Sequence, residues 1–517
     1  MKIKEKAALI ILDGWGIAPS WGGNAITSAR TPFFDRLWRS YPHSILSASG
    51  ESVGLPKGVA GNSETGHINI GAGRIVIEDL PYINSMIKSG EFFNNEKILG
   101  AMSHVKKNNS NLHLMGLVGN GFVHSDINHL FYLLQIAKKN DLKNVYLDLF
   151  LDGRDSDPNS ALGIIGEIER KIKRIGVGKI SSVCGRFFAM DRDHNWGRTS
   201  RAFNALTRGE AEVFSSASEA ISNAYSKGIS DEFIEPALIG VNEAPIPVFD
   251  NDALIFFNFR PDRAKQISSV FSDQKIPDMP DRKILTNLYF LTFAIHDPRP
   301  IGIAAFPERH VEQPLAEIIS KNNLKQLHIA ETEKYAHVSY FLNGGREKPF
   351  PGETQIVIPS PKVRTYNLKP EMSAPLISAK ILSVIDNNFD FIVVNYANAD
   401  MVGHCGNFYS AVQAIEAVDS ELKKLVENLF HYNYTICITA DHGNAEEMVN
   451  KTTKHPHTEH TINPVPFILV SKKMELLRSK LYSQGILGNV APTILEIMGI
   501  SCPSVMTEKS LFYKSKV

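Results

Sequence analysis

The strongest constraint on the fold is a pattern repeated along the chain: an apolar, β-branched run of strand length that stops abruptly at polar or charged residues. Residues 7–12 stop before Asp13, 112–118 before Asn120 and His124, and 145–151 before Asp152, Gly153, Arg154 and Asp155. The pattern returns at 180–184 before Arg186, 253–257 before Arg260, 326–330 before Glu331, 391–394 before Asp400, and 435–439 before Asp441. Amphipathic helical stretches such as 159–175 and 409–429 lie between these runs. Uniformly apolar strands alternating with helices predict an α/β fold with mostly parallel sheets covered on both faces. Such folds carry ligands beyond the carboxyl ends of their strands, and that is where the polar residues fall. The Gly- and Pro-rich stretch 343–361 reads as loop.

The strand ends divide by chemistry. Both ends of the chain supply carboxylate, imidazole and hydroxyl groups: Asp13 and Ser63 early, then Asp400, His404, Asp441, His442 and His460. The middle supplies His124, Arg154, Asp155, Arg186, Arg192, Arg260 and Arg263. A chain of 517 residues exceeds one ordinary core. The economical arrangement is one discontinuous domain, 1–78 with 309–517, and a second inserted at 79–308. Gly71-Ala72-Gly73 and the stretch 298–307 supply turn-prone flanks at the two crossings.

Charge and cysteine usage exclude several classes. Lys+Arg and Asp+Glu both count 55, so no global field draws the chain to nucleic acid or an anionic membrane. No apolar run approaches the roughly 20 residues that span a bilayer. The run after Lys2, Lys4 and Lys6 ends at Asp13 without a small-residue cleavage pattern, so it reads as a buried strand rather than a signal peptide. Cys184, Cys405, Cys437 and Cys502 are scattered and form no disulfide framework. A reduced, cytoplasmic, monomeric protein acting on a small molecule is the simplest expectation.

A serine hydroxyl is a poor nucleophile at neutral pH and becomes a good one on a metal ion. Ser63 stands in Gly61-Asn62-Ser63-Glu64-Thr65-Gly66-His67, a setting that also suits an N-cap, and a helix N-terminus favours phosphate. Asp400 and His404 are four residues apart and converge if the segment coils as a helical turn. Asp441 and His442 are adjacent, so both face one point only at a turn, which Gly443 permits. The loop 454–460 offers His455, His457 and His460, and spacing alone does not choose; His460 is favoured by its place just before 461–466. Any one of these pairs is ordinary. Their coincidence at successive strand ends reads as a dinuclear centre around Ser63. Carboxylate and imidazole ligands without thiolate suit Mn²⁺, Mg²⁺, Co²⁺ or Zn²⁺. A single arginine is usually a surface charge or an ion pair. Five beside Asp155 and His124 point to a small, multiply anionic ligand with acid/base groups at hand.

These residues lie in long motifs: LDGWG at 12–16, GNSETGHINIGAGR at 61–74, DGRD at 152–155, GRFFAMDRD at 185–193 and FNFRPDRA at 257–264. ETEKYAHVSYFLNGG at 331–345, KPEMSA at 369–374, NYANADMVGH at 395–404, TADHGNAE at 439–446 and HTINPVPFI at 460–468 follow. Through them essentially the whole chain resembles the cofactor-independent (2,3-bisphosphoglycerate-independent) phosphoglycerate mutases of the alkaline-phosphatase superfamily. The resemblance implies interconversion of 3-phosphoglycerate and 2-phosphoglycerate in glycolysis and gluconeogenesis, through a phosphoserine at Ser63. It implies two metal ions, most often Mn²⁺, and no need for 2,3-bisphosphoglycerate. Asp13, Ser63, Asp441 and His442 match the ligands of one ion, and Asp400, His404 and His460 those of the other. His124, Arg154, Asp155, Arg186, Arg192, Arg260, Arg263 and Lys334 match substrate-binding and acid/base positions. Domain closure is expected to keep water from the phosphoserine. The alternatives are a metal-dependent phosphomonoesterase or phosphopentomutase using the same metal domain, and a retired scaffold.

Some positions depart from the family pattern. Asn120, Phe122 and Asp126 replace Asp, Gly and His around His124, while Arg364 and Asn367 replace a small residue and an Asp before KPEMSA. Phenylalanine disfavours positive φ, so Phe122 is expected at negative φ, its ring packed in the interdomain cleft as a water shield.

Overall fold

The computed structural model describes residues 5–240, 245–272, 276–295, 303–307, 310–473, 476 and 480–513. Residues 298–302 of the flank expected at 298–307, and the crossing near 308, lie outside them. The chain forms two compact units, Met1–Glu78 with His310–Val517, and Asp79–Arg309.

The first unit is built on an eight-stranded sheet in the order Glu353–Ile358, Gln326–Glu331, Phe391–Tyr396, Lys6–Leu12, Tyr434–Thr439, Val465–Val470, His43–Ser47 and Gln484–Ile486. All pairings are parallel except the two made by Val465–Val470. The central strands are buried along almost their whole length, as their unbroken apolar sequences require. Helices such as Phe408–His431 cover the sheet; Asn407 starts that helix by accepting from the Ser410 N–H at 3.0 Å.

One expectation fails here. The stretch 343–361 is not all loop, because Glu353–Ile358 forms the edge strand beside Gln326–Glu331. An edge strand pairs on one side and is only half-buried, so Thr354 and Gln355 are tolerated and no apolar run betrays it.

The inserted unit carries its own eight-stranded sheet: Ile303–Ala304, Tyr289–Thr292, Ala253–Phe256, Leu112–Val118, Val145–Leu151, Lys179–Gly185, Ala237–Ile239 and Glu212–Phe214. All neighbours are parallel except Lys179–Gly185 with Ala237–Ile239. Separate apolar clusters fill its two faces. The covering helix begins at Ala161 rather than 159, with Asp231 Oδ2 accepting from the Ser160 and Ala161 N–H groups at 2.8 and 2.9 Å. No described helix is long and apolar enough to cross a membrane.

Candidate active site

In the first unit the polar residues converge past the carboxyl ends of three adjacent strands. Asp13 follows Lys6–Leu12, Asp400 lies in the helix Asn398–Gly403 after Phe391–Tyr396, and Asp441 follows Tyr434–Thr439. The Asp400 N–H donates to the Asp13 carbonyl at 3.1 Å. Gly14 lies between these loops at φ 74, where an added Cβ would sit 2.7 Å from Asp400 Cα, so the turn demands glycine. Gly443 has a different reason from the one expected. It does not adopt positive φ; a Cβ there would strike Glu446 Oε1 and Thr461 Oγ1.

Ser63 opens the helix Ser63–Ala72, and the cap is Asn62, whose side chain accepts from the Thr65 N–H at 2.8 Å. The serine hydroxyl is therefore free for other work. Its Oγ lies 2.6 Å from Lys334 Nζ, 2.9 Å from His442 Nε2 and 3.4 Å from Asp13 Oδ1. Lys334 Nζ also lies 2.6 Å from both Asp13 Oδ1 and Asp400 Oδ2.

The donor set fits divalent cations on two grounds. First, Asp13, Asp400 and Asp441 are all buried, and Lys334 is the ammonium set among them. Burial and the Asp441 charge push the Asp13 carboxyl up to about 7, so the protein alone does not hold three negative charges comfortably. Asp441 Oδ2 is buried, and the nitrogen nearest to it, His67 Nδ1 at 3.2 Å, is shared with the Ser63 carbonyl at 2.8 Å. Second, His404 Nδ1 lies 2.6 Å from the Thr458 carbonyl and His460 Nδ1 2.9 Å from that of Gly61, which places the ring protons on Nδ1. Their Nε2 lone pairs then face each other at 3.0 Å, each 3.2 Å from Asp400 Oδ1. Lone pairs so arranged repel unless a cation lies among them.

Proximity groups the ligand atoms as Asp400, His442 and His460, and as Asp13, His67 and Asp441. His442 Nε2 is 3.5 Å from Asp13 Oδ1 and from Asp441 Oδ2, and 3.9 Å from Asp400 Oδ1, so it borders both groups. His67 escaped the sequence reading. Its Nδ1 lies 2.8 Å from the Ser63 carbonyl and 3.2 Å from Asp441 Oδ2, the geometry of a donor that orients the carboxylate. Its place one helical turn after Ser63 was the available signal. Asn395 and Asn444 were also missed. Their Nδ2 groups donate to Asp13 Oδ2 at 2.7 Å and Asp400 Oδ1 at 2.9 Å. Buried Glu446 joins three loops, accepting from the N–H groups of Gly16 and Asn444, the Thr461 hydroxyl and Asn463 Nδ2.

The inserted unit gathers the second set. Asp152 closes the DGRD turn, its Oδ1 accepting from the Arg154 and Asp155 N–H groups and its Oδ2 from Ser156 Oγ. Arg186 is only 2 % exposed and bridges Asp152 at 2.6 Å and Asp155 at 2.5 Å. Arg154, Arg192 and Arg260 are about half exposed, at 53, 48 and 44 %. Arg263 is held below the usual arginine range by burial and by neighbouring Arg192, Arg154 and Arg186, which places four guanidinium groups together. His124 is buried with Nε2 3.7 Å from Asp155 Oδ2, and burial and Arg186 push its pKa down to about 4. Asp262, absent from the sequence reading although it lies between Arg260 and Arg263, touches Arg192, Arg260 and His124.

Phe122 overturns both expectations made for it. Its φ is 56 and its side chain is 48 % exposed, so the packed water shield is withdrawn. The turn after Leu112–Val118 must return the chain so that the Ser125 hydroxyl reaches the Leu117 carbonyl at 2.6 Å and the Phe259 N–H reaches the His124 carbonyl at 2.9 Å. Those contacts override the residue's own preference.

A profile of the Metalloenzyme superfamily matches residues 5–502. A 2,3-bisphosphoglycerate-independent phosphoglycerate mutase of Francisella tularensis subsp. novicida is 45 % identical over 512 residues, covering 99 % of each chain. The chain belongs to the 2,3-bisphosphoglycerate-independent phosphoglycerate mutase family. The enzyme of the same name from Francisella tularensis subsp. holarctica is likewise 45 % identical over 99 % of each chain. A phosphoglycerate mutase of Leishmania mexicana, solved at low cobalt concentration, superposes with a TM-score of 0.74 at 29 % identity, covering 99 % of this chain and 98 % of its own. Membership makes the chain a metalloenzyme of the isomerase class, an intramolecular phosphotransferase.

Proposed function

We propose that the protein interconverts 3-phosphoglycerate and 2-phosphoglycerate through a phosphoserine at Ser63, as a cytoplasmic step of glycolysis and gluconeogenesis that needs no 2,3-bisphosphoglycerate. The observation that carries this reading is the buried Ser63 Oγ, set between Lys334 Nζ at 2.6 Å and His442 Nε2 at 2.9 Å. Asp13, Ser63, Asp441 and His442 would hold one divalent ion and Asp400, His404 and His460 the other, with Mn²⁺ the ion the family resemblance favours. Bound there, such ions supply Lewis-acid stabilisation of phosphoryl charge.

Ser63 Oγ, as the alkoxide, forms a bond to the substrate phosphorus as the bond from phosphorus to the glycerate 3-oxygen breaks, and that oxygen receives a proton by way of Asp155 and His124. The Lys334 ammonium donates to Oγ and offsets charge on the transferring group. The Ser63 and Glu64 N–H groups, ahead of the Thr65 N–H that Asn62 caps, open the Ser63–Ala72 helix and suit the phosphoryl oxygens. Arg154, Arg192, Arg260 and Arg263 bind the glycerate carboxylate, while buried Arg186 fixes Asp155. Asp155 and His124 take the proton of the 2-hydroxyl as its oxygen receives the phosphoryl group, and the Oγ–phosphorus bond breaks.

The test is an enolase-coupled assay with Mn²⁺ and without 2,3-bisphosphoglycerate. Turnover by the wild type, its loss in Ser63→Ala, and label from phosphoglycerate trapped on Ser63 are expected. Turnover comparable to wild type in the alanine variant would overturn the covalent route. A phosphomonoesterase or phosphopentomutase has no need of the arginine set in the insert, and that set disfavours the alternative.

A further inference from the structure

We propose that Asp262 is a positioning residue of this reaction: an internal anion that competes with substrate for Arg192 and Arg260 and holds His124 with its Nε2 lone pair toward Asp155. The proposal deepens the mutase reading and rests on it for the roles of His124 and the arginines.

Asp262 Oδ2 accepts from Arg192 Nη1 at 2.9 Å. Its Oδ1 lies 3.2 Å from Arg260 Nε and 3.5 Å from His124 Nδ1. His124 Nδ1 and Asp262 Oδ1 are both buried polar atoms without a hydrogen-bond partner, and they face each other. Leaving two such atoms unpaired is costly, so a proton between them is the stable arrangement. The charged groups facing the ring are Arg186, Asp262, Asp155 and Arg260. Asp155 already accepts from Arg186 at 2.5 Å, whereas Asp262 Oδ1 has an orphaned nitrogen before it. The single proton of a neutral imidazole therefore belongs on Nδ1, as in other carboxylate-oriented histidines. Nε2 and Asp155 Oδ2, 3.7 Å apart, are then two acceptors with room for a donor beside them, which a substrate hydroxyl provides.

A carboxylate is an unusual occupant of an anion site. Arg260, His124 and Arg192 outweigh burial and hold Asp262 below the usual carboxylate range, so it stays charged. A substrate carboxylate must take the two guanidinium groups from it. That weakens ground-state binding, and a contested grip suits a glycerate that has to turn between two phosphoryl transfers.

The full-length enzyme with Mn²⁺ tests this through Asp262→Asn and Asp262→Glu. Asparagine removes the charge but little volume. Its KM for 3-phosphoglycerate is expected to fall about tenfold, because one like charge leaves the site, while kcat falls about 100-fold as the base loses its orientation. Nitrogen-15 NMR should show His124 as the Nδ1–H tautomer in the wild type, mixed tautomers in Asp262→Asn, and recovery in Asp262→Glu. A raised or unchanged KM in Asp262→Asn, or an Nε2–H tautomer in the wild type, would overturn the proposal. So would loss of kcat with an unchanged tautomer, the result of a merely structural role. Absence of wild-type turnover would fail the mutase reading instead, and the tautomer with calorimetric affinity for 3-phosphoglycerate would still decide Asp262.

Discussion

Lys334 Nζ lies 2.6 Å from Ser63 Oγ and an equal distance from a carboxylate oxygen of Asp400, so one ammonium touches both the nucleophile and the acidic wall around it. Burial alone would lower the pKa of this lysine, but Asp13, Asp400 and Asp441 outweigh it and hold the group above its ordinary value. Lys334→Met should cut turnover by about 100- to 1000-fold, the usual loss for one donor to developing charge. It should also destabilise the metal-free protein by about 3–5 kcal/mol, since buried carboxylates lose their counter-ion. Added Mn²⁺ should restore much of that loss in a thermal melt; a variant as stable as wild type without metal would contradict the arrangement.

Metal and protons compete for the same atoms. The metal-free Asp13 carboxyl, pushed up to about 7, binds more protons in the folded than in the unfolded state between about pH 4 and 7. Its contribution to stability therefore falls as pH rises through that window. His404 is raised above its ordinary value by Asp400 and must also lose its proton to bind metal. Binding of Mn²⁺ near neutral pH should release about one proton or more, read by calorimetry in buffers of different ionisation enthalpy. Activity at subsaturating metal should drop below neutral pH and recover with more Mn²⁺. An acid limb independent of metal concentration would refute the competition.

Arg263→Lys should not behave as a conservative change. Arg263 sits among Arg192, Arg154 and Arg186 with Asp262 as its acidic neighbour, and among the described residues its hydrogen bond is the 3.5 Å one to the Met190 carbonyl, so the fork is open to a ligand. Lysine keeps the charge but loses bidentate geometry, and KM for 3-phosphoglycerate should rise about tenfold. Unchanged kinetics would assign the residue to structure.

Phe122 at φ 56 carries a left-handed backbone that costs an L-residue about 1–2 kcal/mol. Phe122→Gly removes that cost and adds about 0.5–1 kcal/mol of unfolded-state entropy, so a net gain of up to about 1 kcal/mol is expected in urea unfolding. Its exposed ring leaves the ratio of phosphatase to mutase turnover unchanged. A destabilised glycine variant would show that the ring makes packing contacts after all.

The sheets were legible because their strands are buried on both faces and therefore spell unbroken apolar runs, as 112–118 and 145–151 do. Glu353–Ile358 was hidden because an edge strand needs no such run. The candidate ligands were legible as residue types at strand ends. Their hydrogen-bond partners were not, because Asn395, Asn444 and Glu446 look like any polar residue until the chain folds them against a carboxylate or an N–H.

By itself the sequence determined the α/β class and pointed to Asp13, Ser63, Asp400, His404, Asp441, His442 and His460 as candidate ligands, the class through local periodicity and the candidates through contiguous motifs that carry the family resemblance. Only the tertiary structure decided that Asn62 rather than Ser63 caps the helix, that His67 reaches Asp441, and that Phe122 adopts positive φ. Only it set Asp262 among Arg192, Arg260 and His124. The Asn62 cap is a local bond to Thr65, and the other three share one physical reason. Each is fixed by contacts between segments distant in the chain, or by a turn those contacts impose, and such constraints leave no periodic trace in the residues that obey them.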